Sequence, residues 1–356
     1  MRRAALAAAL LALLVAAPAA GAAYDPVGSG TTKLVLDPSF LSLLKREGVK
    51  LTATPPAKLS GGTVSFPLIA GKLDPLRGAG VLESEGALVF KAGPRSVPIK
   101  APQLKTTQRR APLAAKVGGS QLKLARARRL TVTRAGFGTK VSAAGLTLSA
   151  KLATRLAKKL DRKGAFKEGQ PLGRALSRAE LETVRVLPAG RATLALDPGF
   201  QAKLGSLFVA VNPIFPAERP GEFTLPIAGG EIAPDGGGGR LETEGALELL
   251  QQGGGQAFWE APALELTDHA LSAEVELRPA PPYPGKLGRV GLAALSVPAV
   301  RSDPAERTVA LAGASLGLDA ATAQSLEELF AKPQGKAGVF SAGEALGTVS
   351  LVAQGQ

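Results

Sequence analysis

The chain has 356 residues, with 43 Lys and Arg against 29 Asp and Glu, a formal charge of +14, one His, one Met and no Cys. Disulfides and cysteine-ligated metal sites are excluded, and a single His cannot build a usual zinc site. Apolar residues at 45% with 43 Gly and 27 Pro argue for a folded chain broken by many turns and against disorder, and the 4% aromatic content leaves Leu, Val and Ala to fill the core.

The chain opens with Met1-Arg2-Arg3, an apolar stretch from Ala4 to Ala17, and the small residues Pro18-Ala19-Ala20-Gly21-Ala22-Ala23. That is the pattern of a secretory signal peptide over residues 1–23, with cleavage expected after Ala22 or Ala23. The stretch is shorter than the ~20 residues of a bilayer span, and a lipoprotein signal would need a Cys. The expected mature chain carries no transmembrane anchor and is secreted, either extracellular or associated with the cell envelope.

Thr32 to Leu36 reads as a first strand. After it, Asp37 suits a helix N-cap, Pro38 the first helical position and Gly48 the stop. Val64 to Leu68, Leu130 to Thr133 and Glu274 to Leu277 alternate as half-buried strands do. Ser149 can cap a helix carrying Leu152, Leu156 and Leu160 on one face, and Asp319 can start a counterpart carrying Leu326, Leu329 and Phe330 that stops before Pro333.

These elements repeat. Leu36-Asp37-Pro38-Ser39-Phe40 returns as Leu196-Asp197-Pro198-Gly199-Phe200, and Phe66-Pro67-Leu68-Ile69-Ala70-Gly71 as Leu225-Pro226-Ile227-Ala228-Gly229-Gly230. Leu82-Glu83-Ser84-Glu85-Gly86-Ala87-Leu88 returns as Leu241-Glu242-Thr243-Glu244-Gly245-Ala246-Leu247. Ala101-Pro102 matches Ala261-Pro262, and Phe166-x-x-Gly169-x-x-Leu172-Gly173 matches Phe340-x-x-Gly343-x-x-Leu346-Gly347. The copies are assigned to residues 31–187 and 190–353, joined near Pro188-Ala189-Gly190. The expected fold is all-β with short helices: two tandem β-sandwich-like domains from an internal repeat.

The repeat, with its early strand and short helix, its Phe66 to Pro75 segment, its Glu-Gly-Ala-Leu strand and its terminal Phe-x-x-Gly-x-x-Leu-Gly, resembles the HtaA domain of secreted actinobacterial proteins. The resemblance covers both copies. It implies a β-rich domain that occurs in tandem on exported proteins and binds haem through a tyrosine supported by a histidine. That tyrosine follows a Ser-Phe pair in the first helical segment. Here Ser39-Phe40 is followed by Leu41, Ser42 and Leu43, and Phe200 by Gln201, Ala202, Lys203 and Leu204. Neither copy supplies a tyrosinate oxygen at that place, and the two tyrosines, Tyr24 and Tyr283, lie elsewhere. Haem ligation in the family's manner is not expected, and a His ligand could come only from His269.

Other candidate sites favour bland readings. His269 reads as a turn or surface residue, with no Gly-x-Ser-x-Gly elbow for a Ser-His-Asp arrangement. Glu83 with Glu85, and Glu242 with Glu244, share a strand face as solvated carboxylates rather than a glycosidase pair. Asp235-Gly236-Gly237-Gly238-Gly239 lacks the Gly-Lys-Ser/Thr of a phosphate loop and reads as a turn, and Trp259 reads as core. No catalytic, cofactor or metal residue is assigned.

The charge is split. Residues 24–189 hold 30 Lys and Arg against 10 Asp and Glu, a net +20, and residues 190–356 hold 11 against 19, a net −8. Arg155, Lys158, Lys159 and Arg162 fall at i, i+3, i+4 and i+7 and form the candidate anionic-surface stripe. A basic lobe on an exported protein is drawn to anionic wall polymers or lipid headgroups. Export and the absence of an aromatic-basic motif argue against nucleic acid. The acidic lobe could pair with the basic one, within a chain or between chains. The expected function is a secreted, non-catalytic binding protein contacting anionic surface polymers through its first domain; the alternative is capture of haem or a small apolar ligand in a cavity between sheet and helix.

Overall fold

In the computed structural model the described residues are 24–74, 78–107, 111–278, 285–297 and 300–356. The expected signal peptide, Tyr283 and its Pro-rich turn lie outside them. The first sheet contains β1 (Asp25–Leu36), β2 (Lys50–Thr54), β3 (Lys58–Ser60), β4 (Thr63–Leu73), β5 (Gly80–Ser84), β6 (Ala87–Ala92), β7 (Arg95–Thr106), β8 (Pro112–Val117), β9 (Ser120–Arg126), β10 (Arg129–Ala135), β11 (Gly138–Leu148) and β12 (Pro171–Leu181). Two helices interrupt it, α1 (Pro38–Arg46) and α2 (Ala150–Leu160). The second contains β13 (Val184–Val186), β14 (Arg191–Leu196), β15 (Val209–Ile214), β16 (Phe223–Ile232), β17 (Gly239–Thr243), β18 (Ala246–Gln251), β19 (Gln256–Glu265), β20 (Ala270–Arg278), β21 (Lys286–Ser296), β22 (Val300–Asp303), β23 (Thr308–Leu318) and β24 (Ala345–Gln354), with α3 (Pro198–Ser206) and α4 (Ala320–Leu326).

Each sheet closes on itself through antiparallel pairs. The first ring runs β7-β5-β4-β1-β12-β11-β9-β8 and returns to β7. The second runs β19-β17-β16-β14-β24-β23-β21-β20 and returns to β19. The chain is all-β with short helices, as expected, and the sandwich-like layers are joined into rings. A ring of about eight strands is just wide enough for side chains to fill its interior. Leu, Val, Phe and small residues such as Ala143, Ala175 and Ala179 do so, each of these alanines being fully buried.

One boundary differs from the sequence assignment. β13, placed with the first copy by the range 31–187, pairs with β16 of the second sheet, and Val186 bridges Gly355. Its three residues carry no local signal for either sheet; the free edge of β16 decides.

The repeated motifs have structural reasons. Asp37 and Asp197 cap α1 and α3, accepting from the backbone N–H of Ser39 at 2.9 Å and of Gly199 at 2.7 Å. Phe40 packs on Phe166 with ring centroids 6.4 Å apart, and Phe200 on Phe340 at 5.9 Å. The Asp-Pro-x-Phe and Phe-x-x-Gly motifs thus meet and pin each first helix to the approach of its last ring strand. A Cβ at Gly173 or Gly347 would lie 2.0 or 2.1 Å from the carbonyl oxygen of Val35 or Ala195, so the Leu-Gly of the closing motif is a close approach between neighbouring strands. Ala101 and Ala261 have φ of 46° and 44°, and the register shifts there in both copies. The Ala-Pro motif is a bulge that bends β7 and β19 so that each can serve two neighbours along one edge.

Ser149 caps α2 as expected, accepting from Leu152 N–H at 3.2 Å, and Leu152, Leu156 and Leu160 are buried. The counterpart is less regular. α4 continues as a π-helical turn over Glu327–Ala331 and a 3-10 turn over Lys332–Gln334, so helical backbone runs through Pro333 rather than stopping before it. Pro333 stands in the first turn of the 3-10 segment, where its missing N–H costs nothing.

Candidate functional site

The four cations at helical spacing do not behave as one group. α2 ends at Leu160, and Asp161 takes a left-handed conformation, so Arg162 lies beyond the helix. Arg162 donates through Nε to the Glu47 carbonyl at 2.7 Å, and Arg155 through Nη2 to the Val117 carbonyl at 3.3 Å. These two guanidinium groups tie α2 to the end of α1 and to the β8–β9 turn. Lys158 and Lys159 are exposed in the last turn of α2, where a positive charge complements the helix dipole.

Outward-facing strand positions add cations that helical spacing could not reveal. Lys50 stands directly opposite Lys91 on β2 and β6, and Lys100 directly opposite Lys116 on β7 and β8. All four are exposed. Side chains so placed have Cβ atoms about 5 Å apart, and like charges there are destabilising. The place of Lys100 and Lys116 is taken in the second barrel by Glu260 opposite Glu274. The repeat has kept the backbone and reversed the sign.

Pairing differs as well. Among the described residues the first lobe has three ion pairs, Arg46–Glu47, Arg95–Asp161 and Arg178–Glu180. The second has seven, which engage six of its eleven basic residues, and none joins the two lobes. The first lobe's surplus is therefore unneutralised by its own surface.

The remaining candidates take the bland places. His269 lies in the exposed turn between β19 and β20. Glu83 accepts from Gln103 at 3.2 Å, and Glu85, Glu242 and Glu244 are exposed. Asp235 heads a turn, accepting from Gly237 N–H at 2.9 Å, and Trp259 is in the core at 3% exposure. No group of three or more His, Asp or Glu among the described residues could hold a metal ion.

Neither copy places a tyrosine where the resembled family has its haem ligand. At the places of its tyrosine, Leu41 offers only hydrocarbon, and Gln201 commits its amide to the Leu196 carbonyl at 2.8 Å. In the interior of the first barrel beneath α2, Leu88, Phe90, Ile99, Leu124 and Leu152 with the ring strands leave a void of about 20 Å³. Ligand pockets are typically hundreds of Å³.

Neither a protein-family model nor a curated protein matches the sequence. Among solved structures, the N-terminal domain of HtaA from Corynebacterium glutamicum is similar at 15% identity over 48% of this chain and 99% of that one, with a TM-score of 0.37. The C-terminal domain of the same protein is similar at 15% identity over 45% of this chain and 99% of that one, with a TM-score of 0.35. The haem-binding protein HtaB of the same organism is similar at 13% identity over 44% of this chain and 96% of that one, with a TM-score of 0.31. At these identities the likeness is one of fold alone.

Proposed function

We propose that this chain is a non-catalytic binding protein of the exterior or cell envelope whose first barrel engages an anionic surface polymer. The observation that carries this reading is the set of exposed lysines left without acidic partners among the described residues, with Lys50 facing Lys91 and Lys100 facing Lys116. A sheet that sets like charges opposite one another forgoes stability, and a polyanion laid across them recovers it. Lys158 and Lys159 add to the same field; Arg155 and Arg162 support α2 and contribute charge without being free to reach a ligand. The haem binding described for HtaB is not carried over, because the ligand position is hydrocarbon in one copy and a committed amide in the other.

Binding of the full-length protein to poly(glycerol phosphate) is expected to weaken steeply from about 0.01 M to about 1 M salt, as the Debye length falls from about 30 Å to about 3 Å. Replacing Lys100, Lys116, Lys158 and Lys159 by Glu is expected to weaken it further. Binding that ignores ionic strength, or that survives the fourfold replacement, would refute the reading.

A further inference from the structure

We propose that a groove on the outer wall of the first barrel, between β1 and the β10–β11 hairpin, is a binding site for a hydroxyl-rich chain carrying anionic groups. The inference rests on the anionic-polymer reading above and adds to it a contact across the ring from β7 and β8.

β10 is not part of the ring. It pairs with β11 alone among the strands and forms one wall of a groove of about 630 Å³. Two adjacent rows cross the groove by strand register. One runs Thr31, Arg178, Lys140, Thr133 over β1, β12, β11 and β10, and the other Lys33, Leu176, Ser142, Thr131. With strands about 4.8 Å apart, three cations, four hydroxyls and one apolar floor residue share a patch that a few sugar or polyol units would cover. Arg178 is held by Glu180 at 2.7 Å. Lys33 and Lys140 are exposed and have no ion-pair partner among the described residues. Lys140 and Arg178 stand directly opposite each other, a third unfavourable like-charge arrangement.

The ligand class follows from this mixture. The donors are spread over four strands instead of converging on one point, as a site for a small inorganic anion requires. Hydroxyls and cations stand side by side around Leu176, which suits a chain that itself carries both hydroxyls and anionic groups.

The second barrel supplies an internal control. The counterparts of β1, β11 and β12 line a groove of about 550 Å³, and the matching register puts Thr193 for Lys33, Ala310 for Lys140 and Val352 for Arg178. Its lining cation, Arg191, replaces Thr31 and pairs with Glu218 at 3.6 Å; Arg301, opposite Ala310, is not among the lining residues. The backbone is repeated, and of the two linings only the first carries cations without an ion-pair partner among the described residues.

The test is calorimetric titration of the full-length protein at low salt with poly(glycerol phosphate), polygalacturonate, inorganic phosphate and vesicles containing an anionic phospholipid. The two polymers separate a phosphate-bearing chain from a carboxylate-bearing one. At least one is expected to bind, with K33E/K140E losing about tenfold or more, or about 1.4 kcal/mol. K45E/K163E makes the same change in net charge at exposed lysines outside the groove and is expected to lose clearly less. The unfolding temperature of K33E/K140E should not fall, since the exchange relieves like charges. T193K/A310K, which rebuilds the lining in the second barrel, is expected to add binding. Equal losses in the two double variants would overturn the groove while leaving the anionic-polymer reading intact, because binding would then follow net charge alone. Phosphate or vesicles binding as tightly as the polymers would overturn the ligand class, and a wild-type protein that binds neither polymer would remove both readings.

Discussion

At the scale of single residues, Asp25 is a carboxylate held in an unfavourable place. It is 4% exposed, its Oδ2 is buried without a hydrogen-bond partner, and all three side-chain nitrogens of the nearby Arg134 are likewise buried and unpartnered. Burial pushes the carboxyl up from 3.8 to about 6, with Glu231 and Asp74 adding to the rise and Arg134 and Arg185 opposing it. A folded pKa above the unfolded one means that the protonated carboxyl favours the fold. Its contribution is full below about pH 4 and is lost as the pH rises through about 6, a loss of up to about 3 kcal/mol at ~1.4 kcal/mol per unit. D25N, which cannot ionise, should therefore be more stable than the wild type at pH 7 and no more stable near pH 4. Chemical denaturation at the two pH values checks this, and an equal difference at both would show that Asp25 does not titrate in this range. Phe208 is strained in another way. It has a φ of 53° with its ring 67% exposed, at the place where the first copy has Gly48 with a φ of 64°. Gly48 was legible as a helix stop from its type; that Phe208 adopts the same backbone could be read only from the repeat alignment.

Among elements, the last helical segment of the second copy shows how an acidic residue can be structural. Glu327 looks like an ordinary solvated helix carboxylate. Its two oxygens accept from the backbone N–H groups of Gly338 at 2.6 Å, Val339 at 3.0 Å and Phe340 at 3.1 Å. It thereby fixes the loop that delivers Phe340 onto Phe200. Hydrogen bonds to a charged group contribute about 1.5–3 kcal/mol each in favourable settings. E327A should cost about 2 kcal/mol or more, read from the denaturation midpoint. E328A should cost no more than about 1 kcal/mol, because Glu328 meets Lys332 at 3.6 Å and Gln324 at 3.1 Å on the surface, where ion pairs contribute little. Similar costs for the two would mean that the three backbone bonds are not holding the loop. The spacing of Leu152, Leu156 and Leu160 made α2 legible. Glu327 was not legible, since its partners are eleven to thirteen residues away in an irregular loop.

For the whole molecule, the first lobe carries net +20 over residues 24–189 with only three ion pairs among its described residues. Self-repulsion of that size opposes the compact state and is screened by salt. Thermal unfolding of the full chain should therefore move to higher temperature from about 0.01 M to about 0.5 M salt, as the Debye length falls from about 30 Å toward a few Å. The same added salt should weaken polymer binding. A transition that falls with salt would mean that the fold depends on attractive charge pairs more than it suffers from repulsion.

The tandem repeat, the helix caps at Asp37, Asp197, Ser149 and Asp319, the β-rich class and the opposite charge of the two halves were all legible along the chain. These are local or additive properties: a cap depends on three or four neighbours, a strand pattern on alternation, and net charge on counting. Only the tertiary structure decided the rest, because strand partners are chosen over long separations by matching edges. It closed β7 onto β8 and β17 onto β19, and gave β13 to the second sheet. It separated Arg155 and Arg162, bound to carbonyls contributed by distant segments, from Lys158 and Lys159, which remain in solvent. It also brought Lys33, Lys140 and Arg178, up to 145 residues apart, onto one wall, because antiparallel register sets side chains on neighbouring strands face to face whatever their distance along the chain.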